Sequence, residues 1–313
     1  MLGEVQLTLR EAVEIGIDLR RRERQSAKVN DIINALIRAK EQERKSERYL
    51  GNLKSRLGRF KMDFGERVVA TISRAEVAEW LHGLNLSPES VNTYRREIGV
   101  MFSEAVACGY TDSNPVAKIK PVKVIDEPVG ILTPDEAFRL ISVAGSTILP
   151  AVALGLFAGL RTEELKRLKW DAVGLERKTI HVGADIAKNA RNRIVPISEN
   201  LAAILKPLAI ASGRIWPTNG RKILEATRRQ AGFGMLGSET EAEKLKGVQL
   251  KPWPGNALRH SFASYHLAHH QDAGALALIL GHQDARIIFK HYREVVTKED
   301  AAAFWRIGWN RNS

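Results

Sequence analysis

The chain has 313 residues, 44% of them hydrophobic and 27% charged, which is typical of a globular protein with room for two domains of ordinary size. The chain has 48 lysine and arginine residues against 36 acidic residues, a net charge of +12. This charge favours a polyanionic partner, most often nucleic acid. The alternative is a basic surface without a specific ligand. A single cysteine excludes an intrachain disulfide and a cysteine-rich zinc site, and no apolar run has the length of a signal peptide or a membrane span, so we expect a cytoplasmic, nucleoid-associated protein without a membrane partner.

The first half of the chain predicts a series of helices. Residues 1–26 form a helical extension in this interpretation, and apolar positions at 3.6-residue spacing predict a helix over 28–43. A basic helix follows at about 46–63. Ser73 and Glu76 have the spacing of a capping box, and the Ser87-Pro88 pair opens a helix that runs to about Cys108.

Two groups of basic and aromatic side chains in this half predict contacts with DNA phosphates. For the basic helix the alternative is a solvated face. The predicted contacts are Arg48, Lys54, Arg56, Arg59 and Lys61 on the basic helix, with Tyr94, Arg95 and Arg96 on the helix that begins at Pro88.

A change in composition separates the two halves. Residues 119–130 mix lysine, proline and valine without helical or strand periodicity, which predicts a linker between a domain at 27–118 and one at 131–313. Helices are predicted at 134–144, 148–158 and 162–168, strands at 178–183 and 193–197, and further helices after Ser198. The fold class is therefore mainly α, with a small antiparallel β-sheet in the C-terminal domain.

Four side chains in the second half have the chemistry of phosphodiester cleavage by a tyrosine nucleophile. Two arginines, Arg161 and Arg259, can hold the non-bridging oxygens and stabilise the charge of a five-coordinate phosphorus. Tyr292 can carry the cut strand as a phosphotyrosyl ester, with His282 ten residues before it. These groups point to DNA strand transfer.

Taken in order, the motifs of the second half resemble those of the tyrosine recombinase (phage integrase) family. The motifs are AGLRTEEL at 158–165, Lys188 followed by RIVP at 193–196, LRHSFAS at 258–264, LGH at 280–282, and Tyr292. The resemblance is close over residues 128–297. Residues 27–118 are similar, more loosely, to the helical core-binding domain of that family.

The resemblance implies an all-α, SAM-like core-binding domain and a tyrosine recombinase catalytic domain that close as a clamp around duplex DNA. The implied activity is site-specific integration or recombination of a mobile element through a 3′-phosphotyrosyl intermediate. No cofactor and no metal are needed, because the ester keeps the bond energy for rejoining. The implied assembly is a homo-tetramer on DNA, with a monomer as one form of the free protein.

Each motif then receives a role. Tyr292 attacks phosphorus, Arg161 and Arg259 bind phosphate oxygens, and Lys188 protonates the departing 5′-oxygen. His282 bonds a phosphate oxygen or assists proton movement. Glu164 orients Arg161 through an i, i+3 pair, and Arg193 is expected to contact DNA.

One position departs from the family pattern. The family usually has histidine three residues before its second arginine, whereas this chain has Asn256. An asparagine can donate a hydrogen bond to phosphate but carries no proton or charge, so we expect slower chemistry. Two alternatives remain open: a recombinase-fold protein that binds DNA without cutting it, and a type IB topoisomerase-like enzyme.

The remaining histidines and the tail have less specific signals. His266, His269 and His270 have helical spacing that could gather metal ligands, but we favour a mixed core and surface role. His260 is expected to pack beneath the site without acting chemically. The tail from Thr297 to Trp309 either packs on its own domain or, as the resemblance implies, docks on a neighbouring protomer.

Overall fold

The computed structural model describes residues 8, 10, 13, 16, 17, 26–125, 129–186, 192–240, 243, 247, 249–282, 286, 288, 292 and 296–308. Lys188, most of the predicted N-terminal extension and Trp309 lie outside these residues. Contacts divide the chain into two compact units, Met1–Asp126 and Glu127–Ser313. Within the part of the chain that the structure describes, no helix combines the length and apolar composition needed to cross a membrane.

The first unit is helical in its described part, as predicted. Its elements are α1 (Val29–Gln42), α2 (Glu47–Phe64), a 3₁₀ turn (Val69–Thr71), α3 (Arg74–His82) and α4 (Pro88–Ala107). The predicted starts are confirmed because Ser46, Ser73 and Ser87 each accept a hydrogen bond from a backbone N–H three residues on. The apolar stripe of α1 is buried against α2 and α4, where Phe60 and Phe102 are fully buried.

The second unit combines helices with a small sheet. Its elements are α5 (Pro134–Val143), α6 (Leu149–Ala158), α7 (Thr162–Arg167), β1 (Val173–Gly174), β2 (Thr179–Val182), β3 (Arg193–Pro196), α8 (Glu199–Leu205), α9 (Gly220–Gln230), α10 (Ala257–His270), α11 (Ala273–Leu280) and α12 (Lys298–Trp305). Short 3₁₀ turns cover Trp170–Ala172 and Lys206–Leu208.

The sheet confirms the predicted fold class and adds a strand to it. The strand order is β1-β2-β3, both pairs are antiparallel, and Ile180 lies opposite Val195. Strand β1 was not predicted, because two half-buried residues give no alternation for a sequence pattern to detect.

Helix α6 is the centre of the second unit. All ten of its residues are buried, and α10 packs closely along it. A Cβ at Gly155 would lie 2.8 Å from Leu258 Cδ1, so glycine permits this close approach. Because α6 is fixed on every side, the chain that leaves its C-terminal end at Gly159 is fixed as well.

The described part of the tail, residues 297–308, packs on its own unit. Phe304 on α12 is fully buried, with its ring stacked on Tyr265 at 4.1 Å between centroids and 5.0 Å from Phe157. Of the two alternatives for the tail, this part therefore follows the first.

The three clustered histidines of α10 have the mixed role that the sequence predicts. His266 is 8% exposed, and burial together with the neighbouring His270 and His269 lowers its pKa to about 4. His269 and His270 are exposed. Among the residues that the structure describes, no group of three histidine, cysteine or acidic side chains is arranged to hold a metal ion.

Candidate active site

The first-motif arginine is placed by the turn that ends α6. Gly159 has φ +64°, a left-handed conformation that favours glycine, and a Cβ there would lie 2.4 Å from Phe262 Cδ1. The turn brings Arg161 to the start of α7, where its backbone N–H donates to Glu164 Oε2 at 2.9 Å. The Arg161 side chain keeps 23% of its surface exposed and lines a cavity.

The second-motif arginine joins three separate segments. Arg259 is 8% exposed, and its Nη1 donates to the Gly159 carbonyl at 2.7 Å while Nη2 donates to the Leu280 carbonyl at 2.7 Å. These carbonyls belong to the ends of α6 and α11, where helix dipoles favour a cation. His282 Nε2 also lies 3.0 Å from Arg259 Nη2.

Burial sets the charge states of this pair. Desolvation and the nearby Arg161 lower the pKa of Arg259 to about 9, so the guanidinium stays charged at neutral pH. Burial and the positive charge of Arg259 lower the pKa of His282 to about 4. A neutral His282 ring can accept a hydrogen bond from Arg259 through Nε2.

Glu164 is the anion at the centre of the arginines. Its side chain is 1% exposed and accepts from Arg161 Nη1 at 3.0 Å, which confirms the predicted i, i+3 pair. It also accepts from Arg193 Nη1 at 3.0 Å and Arg193 Nη2 at 2.7 Å. Burial raises the pKa of the carboxyl, but the bonds from Arg193 and the Arg161 backbone outweigh it, and the pKa lies below its ordinary value.

Arg193 does not present its charge to DNA as the sequence predicts. Its side chain is 9% exposed, its Nη atoms bind Glu164, and its Nε donates to the Ile279 carbonyl at 2.8 Å. The residue lies on β3 and therefore ties the sheet to α7 and α11. The sequence could not show this, because Glu164 is 29 positions away.

The tyrosine expected to act as the nucleophile is buried within the same unit. Tyr292 is 4% exposed, and its Oη lies 2.7 Å from His260 Nδ1. Burial raises the pKa of the phenol, while the charges of Arg259 and Arg161 act to lower it. The contact joins the phenol to the residue next to Arg259, and the sequence, which assigned His260 a packing role, did not predict it.

A cavity of about 250 Å³ opens beside the two arginines. Arg161, Arg259 and Asn256 line it, and Asn256 is an exposed residue at the N-terminus of α10 with φ +54°. Arg228 on α9 also lines the cavity, with its guanidinium carbon 4.1 Å from the centroid of the Trp253 ring. Sequence reasoning missed Arg228, for which the paired arginines at 228 and 229 were the available signal.

The predicted phosphate-binding residues of the first unit fall into two groups. Several are engaged within the protein: Lys54 pairs with Glu41 at 2.7 Å, Arg56 pairs with Glu97 at 2.6 Å, and Arg95 Nη1 donates to the Ile119 carbonyl at 3.1 Å. Tyr94 packs edge-on against Trp80, and Arg96 donates to Thr93. By contrast, the structure gives Arg48, Arg59 and Lys61 no hydrogen bond or ion pair from their side chains within the described residues.

Sequence comparison finds relatives named as integrases and as tyrosine recombinases. A protein of Pseudomonas phage Pf1 named as an integrase is 26% identical over 212 residues, which are 66% of this chain and 58% of that protein. The chain thus spans less than two thirds of this relative's length. The tyrosine recombinase XerC of Xylella fastidiosa (strain M23) is 26% identical over 229 residues, 69% of this chain and 74% of XerC.

The fold has solved counterparts. A crystal structure of a lambda integrase tetramer bound to a Holliday junction superimposes with a TM-score of 0.66 at 17% identity, over 90% of this chain and 88% of that one. The model of the phage integrase family matches residues 131–299, more than half of the 313-residue chain. That match includes each of the motifs that place Arg161, Arg259, His282 and Tyr292, and it shows that the chain belongs to the phage integrase family of tyrosine recombinases.

Proposed function

We propose that this protein is a site-specific DNA strand-transferase that cuts and rejoins duplex DNA through a 3′-phosphotyrosyl intermediate on Tyr292. The observation that carries the proposal is that the Tyr292 phenol lies 2.7 Å from Nδ1 of His260, the residue next to Arg259, and that Arg259 and Arg161 line one cavity. Membership of the family supports the same conclusion.

The two arginines bind the scissile phosphate in different ways. The bonds of Arg259 to two carbonyls and His282 leave its Nε–H and one Nη1–H for phosphate oxygens. Arg161 donates from Nη1 to Glu164, and its other guanidinium N–H groups can donate to phosphate oxygens. Since both cations are held before DNA arrives, they stabilise the charge of the five-coordinate phosphorus without reorganisation.

The other groups complete the site. Lys188, by resemblance, protonates the departing 5′-oxygen. Neutral His282 orients Arg259 at 3.0 Å, and Asn256 offers an amide donor at the mouth of the cavity. Because that amide carries no charge, we expect slower cleavage than a histidine would support.

The proposal extends to the whole chain and its partner. Residues 27–118 act as a core-binding domain, 119–130 as a linker and 131–313 as the catalytic domain, a division supported by the two compact units and the family match at 131–299. The partner is duplex DNA, at the nucleoid in the cytoplasm. Assembly as a homo-tetramer on DNA is supported by the lambda integrase tetramer that shares the fold.

Trapping of the covalent intermediate tests the proposal. Nicked duplexes that tile the DNA flanking the coding sequence are incubated with the full chain, and protein–DNA adducts are resolved on denaturing gels. We expect an adduct on at least one duplex with the wild-type protein and none with Tyr292→Phe. If the protein binds such duplexes but forms no adduct, it is a DNA-binding protein of this fold.

A second assay separates recombination from topoisomerase activity, which would use the same residues. A strand-exchange assay with two copies of the trapped site should yield recombinant products. Relaxation of supercoils without any exchange product would instead identify a type IB topoisomerase-like enzyme.

A further inference from the structure

Tyr292 makes a short polar contact with a side chain that has no role in the mechanism above. The Nδ1 atom of His260 lies 2.7 Å from Tyr292 Oη, and the two rings are tilted by 40° with centroids 5.6 Å apart. The distance is that of a strong hydrogen bond. For Nδ1 to accept the phenol proton, the ring proton of His260 must reside on Nε2.

The position of His260 is fixed by the same contacts that fix Arg259. The two residues are adjacent in the first turn of α10, where the His260 N–H donates to the Asn256 carbonyl at 3.0 Å. Arg259 anchors this turn to the ends of α6 and α11 through two bonds of 2.7 Å. One helical turn therefore presents a guanidinium to the phosphate and an imidazole to the phenol.

The attacking phenol needs a proton acceptor. The ordinary pKa of a tyrosine is about 10, and burial of Tyr292 raises it further. His282 contacts Arg259 rather than the phenol. Glu164 is occupied by Arg161 and Arg193. Of the described titratable side chains in the site, His260 is the one in hydrogen-bond contact with Oη.

We propose that His260 is a catalytic residue, the general base that takes the proton of Tyr292 as Oη attacks phosphorus. The Oη–phosphorus bond forms as the phosphorus–5′-oxygen bond breaks, and the 5′-oxygen takes its proton from Lys188. In rejoining, Lys188 recovers that proton from the attacking 5′-hydroxyl, and His260 returns its own to the departing phenolate. The inference rests on the proposed function.

Single-turnover cleavage of the duplex that traps the wild-type chain tests this role. In His260→Gln the side chain can still accept a hydrogen bond but cannot take up a proton, so we expect cleavage about 100-fold slower or more, with DNA affinity unchanged. His269→Gln, on the exposed face of the same helix, is the matched control and should cleave at the wild-type rate.

Two further measurements separate proton transfer from packing. Added imidazole should accelerate cleavage by His260→Ala, because it supplies the missing base. A 5′-bridging phosphorothiolate duplex, whose leaving group needs no protonation, should restore Lys188→Ala and leave His260→Gln slow. A wild-type rate for His260→Gln, or a slow His260→Ala that does not respond to imidazole, would overturn the role of His260.

The inference and the proposed function fail in different ways. If the wild-type chain forms no adduct on any duplex, the proposed function fails. If it forms the adduct and His260→Gln does so equally fast, the function stands and the base lies elsewhere.

Discussion

At the scale of single residues, the site depends on one buried carboxylate. Glu164 is 1% exposed and bonds two arginines, so its charge offsets a cluster that also includes Arg259. A buried ion pair contributes little net stability, but removal of one partner leaves the other charge uncompensated. Glu164 therefore holds the arginines in place before DNA binds.

We predict that Glu164→Gln costs on the order of 3 kcal/mol of unfolding free energy at pH 7, because two guanidiniums lose their counterion. Cleavage should also slow, since Arg161 loses the group that orients it. The folded pKa of Glu164 lies below the ordinary glutamate value of 4.5. Its contribution is therefore complete above that pH and declines as the pH falls through the folded value.

Urea unfolding between pH 3 and 8 measures this effect. The matched control is Glu199→Gln, whose carboxylate is 85% exposed in its ion pair with Lys178 and should change stability by less than about 1 kcal/mol. Two results would show that Glu164 has no special structural role. One is an equal loss of unfolding free energy in the two variants. The other is a Glu164→Gln protein whose unfolding free energy falls at acid pH as it does in the wild type.

At the scale of elements, the site is built where helices end. The C-terminal ends of α6 and α11 both close with a left-handed glycine, Gly159 and Gly281, with φ of +64° and +66°. The carbonyls exposed by these ends, at Gly159 and Leu280, accept from Arg259. Two helix termini that need hydrogen-bond donors thus meet one arginine that supplies them.

We predict that Gly159→Ala destabilises the second unit by several kcal/mol. The new Cβ would meet Phe262 Cδ1 at 2.4 Å and Leu280 Cδ2 at 2.9 Å, in a backbone conformation that alanine rarely adopts. Displacement of the Gly159 carbonyl would also release Arg259, so cleavage should fall more steeply than stability alone explains. Thermal unfolding and single-turnover cleavage measure the two effects.

Gly145→Ala is the control for this change, since a Cβ there would meet no atom within 4 Å. It should shift unfolding by no more than about 0.5 kcal/mol. A Gly159→Ala protein as stable and active as Gly145→Ala would show that the turn tolerates a side chain, contrary to the geometry.

Local signals in the sequence predicted most of these elements. The capping box at Ser73 and the helix starts at Ser87 and Pro134 are confirmed, because a cap needs only residues three positions apart. The Arg161–Glu164 pair is confirmed for the same reason.

Long-range contacts were beyond such reasoning. The second partner of Glu164 lies 29 residues away, at Arg193, and the contact of His260 with Tyr292 spans 32 residues. Neither sequence separation corresponds to the repeat of a helix or a strand, so no local pattern in the sequence indicates these contacts. The sequence therefore predicted a DNA contact for Arg193, whose side chain is instead bound within the protein, and it predicted packing for His260 without the hydrogen bond to Tyr292.

At the scale of the whole molecule, the net charge of +12 favours DNA, but not every cation is available to it. Lys54 and Arg56 on α2 are paired with Glu41 and Glu97. Arg48 and Arg59 on the same helix have no such partner within the described part of the chain. Phosphate contacts by α2 should therefore come from Arg48, Arg59 and Lys61, which likewise has no side-chain partner in that part of the chain.

We predict that the double variant Arg48→Gln, Arg59→Gln weakens DNA binding and reduces the slope of log Kd against log salt by about 2, since each lost phosphate contact removes about 0.9. The control is Lys28→Gln, Lys178→Gln, which removes the same two charges from residues already paired with Glu66 and Glu199. Its slope should remain close to that of the wild type. Fluorescence anisotropy with labelled duplex at several salt concentrations measures Kd and this slope for each variant. An equal decrease of the slope in the two variants would mean that the overall charge of the protein, rather than Arg48 and Arg59 on α2, determines binding.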